Sequence, residues 1–455
     1  MLKNRYDVLC LGQTPWSLMH AIVLRSLGQD VLVVDDPRWA TEAPGTRWLT
    51  MLETMALRDL GERYGIGALR DLDPCLRAAN LRVSTPRTSW ASGDSVRDNL
   101  TEWMRKLSFL NTPVLQAARA SGEDALKADL QRACTDYLAW LRSPPVRQRA
   151  RPAWDSTAAS WINEFHHLCL AEHSAPYEGP EIPALTQLLT AFASALGSEV
   201  KYRFGAHELW PLVLRMLSPV VEKDHRWMEH ELARELTARG GQTKLAGVHS
   251  WQFYRGHVEA ALLDSYEGVV CHGRLLLHGF PPDGDALQCS FAQPLFMGLR
   301  FVAGDINPDP FEASARPIVV GFTSSPQLGT DIPAGVGEAE GPQGRLIVLA
   351  REVPGGRPEF ARDAALTHAQ SFMAPVLPGP AWSAARFQGR WGRWIEDLDT
   401  SGEARRPFDH HARRTVRVLD RDAREELAGV EFAGPLRPRH LGLLGFVTDL
   451  HVGRA

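Results

Sequence analysis

The chain opens with "YDVLCLG", residues 6–12, a nearly continuous apolar run closed by glycine. A strand buried on both faces has this pattern, because neither face alternates toward water. In "PWSLMHAIVLRSLG" the period changes. Trp16, Met19, Ile22, Val23 and Leu27 recur at helical spacing, Pro15 suits a first turn that needs no N–H, and Gly28 suits a stop. "QDVLVVDD" is a second apolar run, and it ends on carboxylates. Strand, tight turn, helix and strand within about 30 residues predict a βαβ unit whose strands run parallel.

From about residue 50 to 200 the pattern is helical. "DALKADLQRACTDYLAWL" sets Leu126, Leu130, Ala133, Tyr137 and Leu141 on one face, and "PALTQLLTAFASALG" is another helix ending at glycine. "SPPVRQRARP" connects them. "YRFGAHELWPLVLRML" and "HELARELTARGG" predict two further helices, the second closing at Gly240 and Gly241. The runs "VHSWQFY", "HVEAALLD" and "GVVCHGRLLLHG" then alternate, with turns at "RGH" and "SYEG", as an antiparallel meander does. Apolar strands continue in "GLRFVAGDI", "PIVVGFTS" and "GRLIVLAREV", interrupted by the glycine-rich loop "PQLGTDIPAGVGEAEGPQG". A helix follows that Pro358 starts, and the chain ends in "HLGLLGFVTDLHVGRA", read as a closing strand. There is no internal repeat.

At 455 residues the chain exceeds one ordinary core, so two or three domains are expected. A net charge of -4 argues against nucleic acid and anionic membranes as partners, since both select a basic excess. No apolar stretch approaches the length of a membrane span, and the start lacks a signal-peptide pattern. Cys10, Cys75, Cys134, Cys169, Cys271 and Cys289 show no CxxC spacing, which fits reduced thiols and a cytoplasmic protein.

The opening unit resembles the first βαβ unit of the superfamily of flavin amine oxidases, phytoene-type desaturases and the cofactor-free Rab GDP-dissociation inhibitors. In the flavoprotein members three glycines and a terminal acid bind FAD. Here Gly12, Thr14 and Ser17 stand at the glycine positions, and Asp35 at the acid that receives the ribose hydroxyls. Thr14 is the marked departure, because its branched side chain projects toward the diphosphate's space. Gly45, Thr46 and Arg47 match a Gly-Gly-Arg turn with one glycine lost, and the resemblance implies that Arg47 faces the phosphates. It implies that the main chain at Val248 contacts the adenine side and that Asp449 is the turn aspartate near the flavin. Thr448 replaces the glycine expected before Asp449, and the strand reading leaves too few residues for a closing helix.

Other groupings carry less. His166, Cys169 and His173 share a helical face and offer three zinc-type ligands, against a plain reading of one buried cysteine with exposed histidines, which we adopt; no metal is expected. Asp409, His410 and His411 are adjacent, and adjacent residues point apart, so they read as a polar loop. Trp391 and Trp394 lie among arginines and read as packed under a sheet edge. GxSxG, HExxH and P-loop patterns are missing, and no catalytic residue is assigned.

The expected fold is α/β: a discontinuous FAD/NAD(P)-binding Rossmann-like domain with an inserted α+β substrate domain. The expected boundaries are 1–75, 205–285 and 431–455 for the dinucleotide-binding parts, with 76–204 the helical and 286–430 the sheet-plus-helix part of the substrate domain. The resemblance implies two functions. One is a cofactor-free pseudoenzyme, a binding or scaffold protein with a protein or lipidic partner in the cleft between domains. The other is an FAD-dependent oxidoreductase acting on a small or lipidic substrate. Thr14, Thr46 and the truncated end favour the first; Gly12, Asp35, Arg47 and Val248 favour the second. Oligomeric state is not read from the sequence.

Overall fold

The computed structural model describes residues 5–38, 48–78, 81–84, 89–144, 158–175, 205–278, 427–433 and 442–453, together with helical positions between 185 and 196 and backbone strands between 287 and 420. β1 (Arg5–Leu11), α1 (Pro15–Ser26) and β2 (Val31–Asp35) form the βαβ unit. β1 and β2 are parallel, with Leu9 opposite Leu32. The chain later returns to the same sheet. β6 (Gln242–Leu245) lies parallel to β2, and β9 (Gly268–Leu277) lies parallel to β1 on its other side. β10 (Val430–Phe432) adds to β9, again parallel. β7 (Val248–Tyr254) and β8 (His257–Leu263) complete an antiparallel meander onto the first half of β9. The seven-stranded sheet therefore runs β6-β2-β1-β9-β8-β7, with β10 also on β9. This is the Rossmann-like α/β class expected from the sequence.

The apolar runs are continuous because both faces of the sheet are covered. Val8, Cys10, Val31, Val33 and Leu276 face one core, with Leu18 and Ile22 of α1. Leu9, Leu11, Leu32, Val34, Leu275 and Leu277 face a second core, closed by Val248, Val258, Ala261 and Leu263 of the meander. Successive residues of β1 and β2 thus alternate between two apolar environments.

The first core extends into a helical block: α2 (Met51–Tyr64), α3 (Val96–Lys106), α4 (Pro113–Ala120), α5 (Glu123–Leu141), α6 (Ser160–Ser174), α7 (Ala206–Leu217) and α8 (His225–Ala238). A buried ion pair crosses it. Glu53 of α2 accepts from Thr50 N–H at 3.0 Å and from Arg215 Nε of α7 at 2.7 Å. The Glu53 and Arg215 side chains are 5% and 1% exposed, so neither has water to fall back on. Burial works to raise the Glu53 pKa, yet the Arg215 charge and the Thr50 hydrogen bonds outweigh it and hold the carboxyl below its ordinary value.

One correction concerns the chain's end. Residues 443–452 are not a strand but a helix, α9 (Leu443–Val452), and the strand of this region is β10, upstream. Leu443, Leu444, Val447 and Leu450 are buried at helical spacing, and Tyr64 Oη donates to Leu450 O at 3.0 Å. The strand reading took the density of apolar residues without their period. The inference that no closing helix forms falls with it. "SPPVRQRARP" from Pro145 onward, the Pro358 helix, Asp409, His410, His411 and Trp394 lie outside the described residues, and Trp391 lies on a backbone strand, Ala385–Arg393.

Removing one member of the buried pair strands the other charge. Arg215→Ala is expected to lower unfolding free energy by about 3–5 kcal/mol. The double change Glu53→Gln with Arg215→Met recovers most of that loss. Urea midpoints at constant m-value check both.

Candidate functional site

Parallel strands β1, β2 and β9 end together, and α1 starts above their carboxyl ends, where open α/β sheets bind ligands. Gly12 turns the chain out of β1 with φ of 91°, a left-handed value that glycine adopts without strain. Backbone N–H groups reaching that point decide what it can hold.

Those groups are engaged in sequence. Gly12 N–H donates to Val34 O at 2.9 Å, and Gln13 N–H to the Asp35 carboxylate. Thr14 is the N-cap of α1. Its N–H donates to Ser17 Oγ at 2.8 Å, while its own Oγ1 accepts from Ser17 N–H at 3.0 Å. Ser17 Oγ donates to Thr14 O at 2.9 Å, and Leu18 N–H to the same oxygen at 3.0 Å. Pro15 has no N–H. Trp16 N–H is the remaining donor of the turn without an acceptor among the described residues. Thr14 and Ser17, at the second and third glycine positions, thus close a reciprocal capping box, both buried. The Thr14 hydroxyl occupies the hydrogen-bonding position on Ser17 N–H that an anion's oxygen would take.

The expected acid, Asp35, turns its carboxylate to Gln13. Burial raises its pKa, and the neighbouring Asp36 charge adds to that rise, against the Gln13 hydrogen bond. Asp36, which sequence reasoning did not single out, is fully buried and does more. Its carboxylate accepts Val248 N–H at 2.8 Å, Arg38 N–H at 3.0 Å, Arg38 Nε at 2.9 Å and Arg38 Nη2 at 2.7 Å. Arg38 Nη2 donates also to Val248 O at 2.7 Å. Burial opposes ionisation of Asp36, but these donors hold its pKa below the ordinary value. Both main-chain groups of Val248 are thereby bonded within the protein. A Cβ at Gly247 would meet Asp264 Oδ2 at 2.0 Å, a contact that the exposed Asp264 side chain can relieve by turning. The only signal for Asp36 and Arg38 was the doubled acid followed by arginine at the end of β2.

The residues Gly45, Thr46 and Arg47 lie outside the described residues. Asp449 stands in the last turns of α9, not in a turn before a helix. His166, Cys169 and His173 are all buried, which corrects the expectation of exposed histidines: their face is the core face of α6. His166 Nε2 lies 3.1 Å from Ala206 O and His173 Nδ1 lies 3.0 Å from Thr186 Oγ1, so the rings are engaged separately. No metal-binding group of three or more ligands occurs among the described residues.

Sequence reasoning missed a histidine pair. His278 follows β9 directly, its N–H on Leu11 O at 2.8 Å. Its ring lies 5.5 Å from His20 of α1 and 6.5 Å from Phe446 of α9, centroid to centroid. His278 is 2% exposed, and neither ring nitrogen has a hydrogen-bond partner among the described residues. Burial lowers its pKa to about 3. Nearby, the Lys223 ammonium stands 4.0 Å over the Trp16 ring.

No family model and no curated protein matches the chain. Among solved structures it is similar to a triple mutant of a flavin-dependent brominase, at 11% identity and a TM-score of 0.40, covering 98% of this chain and 77% of that one. It is similar to the Rab GDI from Plasmodium falciparum, at 10% identity and a TM-score of 0.46, covering 99% of both. A p-nitrophenol 4-monooxygenase from Pseudomonas putida shows 10% identity, a TM-score of 0.39 and coverage of 99% and 78%. The comparison does not divide the enzymes from the Rab GDI. No described helix is long and apolar enough to cross a membrane.

The buried His278 sets a pH dependence. Folding keeps it neutral, with its pKa lowered from 6.5 to about 3, so the unfolded chain binds the extra proton below pH 6.5. Its contribution is therefore complete at neutral pH and declines as pH falls from 6.5 toward 3, by about 1.4 kcal/mol per pH unit. Unfolding free energies at pH 7, 6 and 5 are expected to fall less steeply in His278→Leu, by one proton's worth.

Proposed function

We propose that this chain is a cofactor-free binding protein built on a dinucleotide-binding fold, with a protein or lipidic partner in the cleft between domains. One observation carries the reading: the capping box of Thr14 and Ser17 engages the donors that a diphosphate requires. A dinucleotide would have to break those bonds, and Pro15 supplies no replacement N–H. The bonding of Val248 to Asp36 and Arg38 supports the same reading at a second place.

The alternative is an FAD-dependent oxidoreductase. It is favoured by the closing helix α9, whose Phe446 lies 6.5 Å, ring to ring, from His278 at the carboxyl end of β9. Trp16 N–H would then serve the diphosphate, and the cofactor would carry the hydride chemistry.

The purified protein is expected to be colourless, and its melting temperature unchanged by millimolar FAD. Stoichiometric flavin absorbance that survives dialysis decides for the oxidoreductase. Replacing both Thr14 and Ser17 by glycine is expected to cost up to about 1 kcal/mol of stability. The same variant is expected to gain at least tenfold in FAD affinity, measured by fluorescence quenching. A variant with no gain contradicts the role given to the box.

A further inference from the structure

The turn between β8 and β9 carries a residue that its geometry does not suit. Tyr266 N–H donates to Leu263 O at 2.8 Å and Leu263 N–H to Glu267 O at 3.0 Å, so residues 263–266 form a tight turn running into a bulge. Tyr266 takes the left-handed position of that motif, with φ of 58°, where glycine is the usual occupant. Its ring gains nothing from the core, since Tyr266 is 81% exposed. Leu245, at the end of β6, is 75% exposed. Two contacts put these residues on one surface: Lys244 is ion-paired to Glu267, and Asp264 N–H donates to Gly247 O at 2.9 Å. His249 of β7 is exposed too, its ring 6.0 Å from that of Tyr266. A bulky side chain held on strained backbone and left in water points to a contact outside the chain.

The charges around this patch select the partner. Asp35, Asp36, Asp264 and Glu267 stand there against Arg38 and Lys244. Lys244 is taken by Glu267, and Arg38 Nη2 is committed to Asp36 and to Val248 O. The exposed Asp264 has no ion pair among the described residues. An acidic surface that bears an exposed aromatic ring suits a guanidinium, which stacks its planar face on the ring while its N–H groups bond a carboxylate. The same charges disfavour an anionic lipid surface, and two such patches facing each other across a two-fold axis would repel.

We propose that this corner of the meander docks a basic segment of a partner protein, with an arginine over the Tyr266 ring and bonded to Asp264, and an apolar neighbour on Leu245. Tyr266, Asp264, His249 and Leu245 take no part in the cofactor turn, so the docking surface stands whether or not FAD binds.

The probe is N-acetyl-arginyl-leucine amide, titrated into the labelled full chain while the amide signals of Leu245, His249 and Tyr266 are followed by nuclear magnetic resonance. Saturable shifts of these signals are expected at millimolar peptide. The affinity is expected to fall about threefold or more when citrulline replaces the peptide's arginine, and likewise in Asp264→Asn. Tyr266→Gly is expected to lose the saturable shifts at Leu245 and His249 yet to melt no lower than wild type, because glycine suits the turn. A variant that melts well below wild type would make the ring structural and overturn the proposal. Absence of shifts in wild type, equal binding of the citrulline peptide, or undiminished binding in either variant also overturns it. So do shifts of the same signals on raising the protein concentration alone, or on adding phosphatidylserine vesicles, which would place a second copy or a membrane on this face.

Discussion

A helix N-terminus has few free N–H groups, and each of them bonds one acceptor at a time. Where α1 leaves β1, the acceptors are already inside the protein: Val34 O, the Asp35 carboxylate, Ser17 Oγ, Thr14 Oγ1 and Thr14 O. An incoming anion gains only what it offers beyond those bonds. On the proposed reading, an exchange of one charge-assisted bond for a neutral one returns about 1–2 kcal/mol, less than a dinucleotide loses in ordering and desolvation. On the proposed reading, these five acceptors from four residues limit what the turn can take up.

The far side of the sheet follows the same logic. β2 is followed directly by Asp36, whose buried carboxylate pins the start of β7 through Val248 and holds Arg38 across it. That bond fixes the meander against Leu9, Leu11, Leu32 and Val34 and lets both sheet faces stay dry. A buried carboxylate with one guanidinium and two main-chain donors is stable only as a closed set, so its parts are not free to serve a ligand. α9 differs, because its N-cap, Gly442, has no side chain with which to bond its first turn.

Much of the fold was legible because burial on both faces leaves an unmistakable run of apolar residues, as in β1 and β2. The helices of the middle were legible from their period: Leu126, Leu130, Ala133 and Tyr137 are buried as the spacing of α5 requires. The end of the chain was misread because Leu443, Leu444, Phe446 and Val447 are dense enough to mask a period of 3.6. At the site, the sequence pointed to Thr14, but for bulk; the structure shows a hydroxyl bonded to Ser17 N–H. Ser17 read as a mild change, although it supplies half of the box. Asp36, Arg38 and His278 were invisible to motif reasoning, since these partners lie 212, 210 and 267 positions away in the chain. Such contacts are products of the sheet's order, not of local pattern.

The central claim concerns individual N–H groups, so it is tested most directly on them. Amide resonances of Gly12, Gln13, Thr14 and Ser17, followed in a selectively labelled sample titrated with ADP, report any diphosphate at this turn. The account predicts no saturable shift of these signals at millimolar ADP. A saturable shift centred on Thr14 and Ser17 would contradict it.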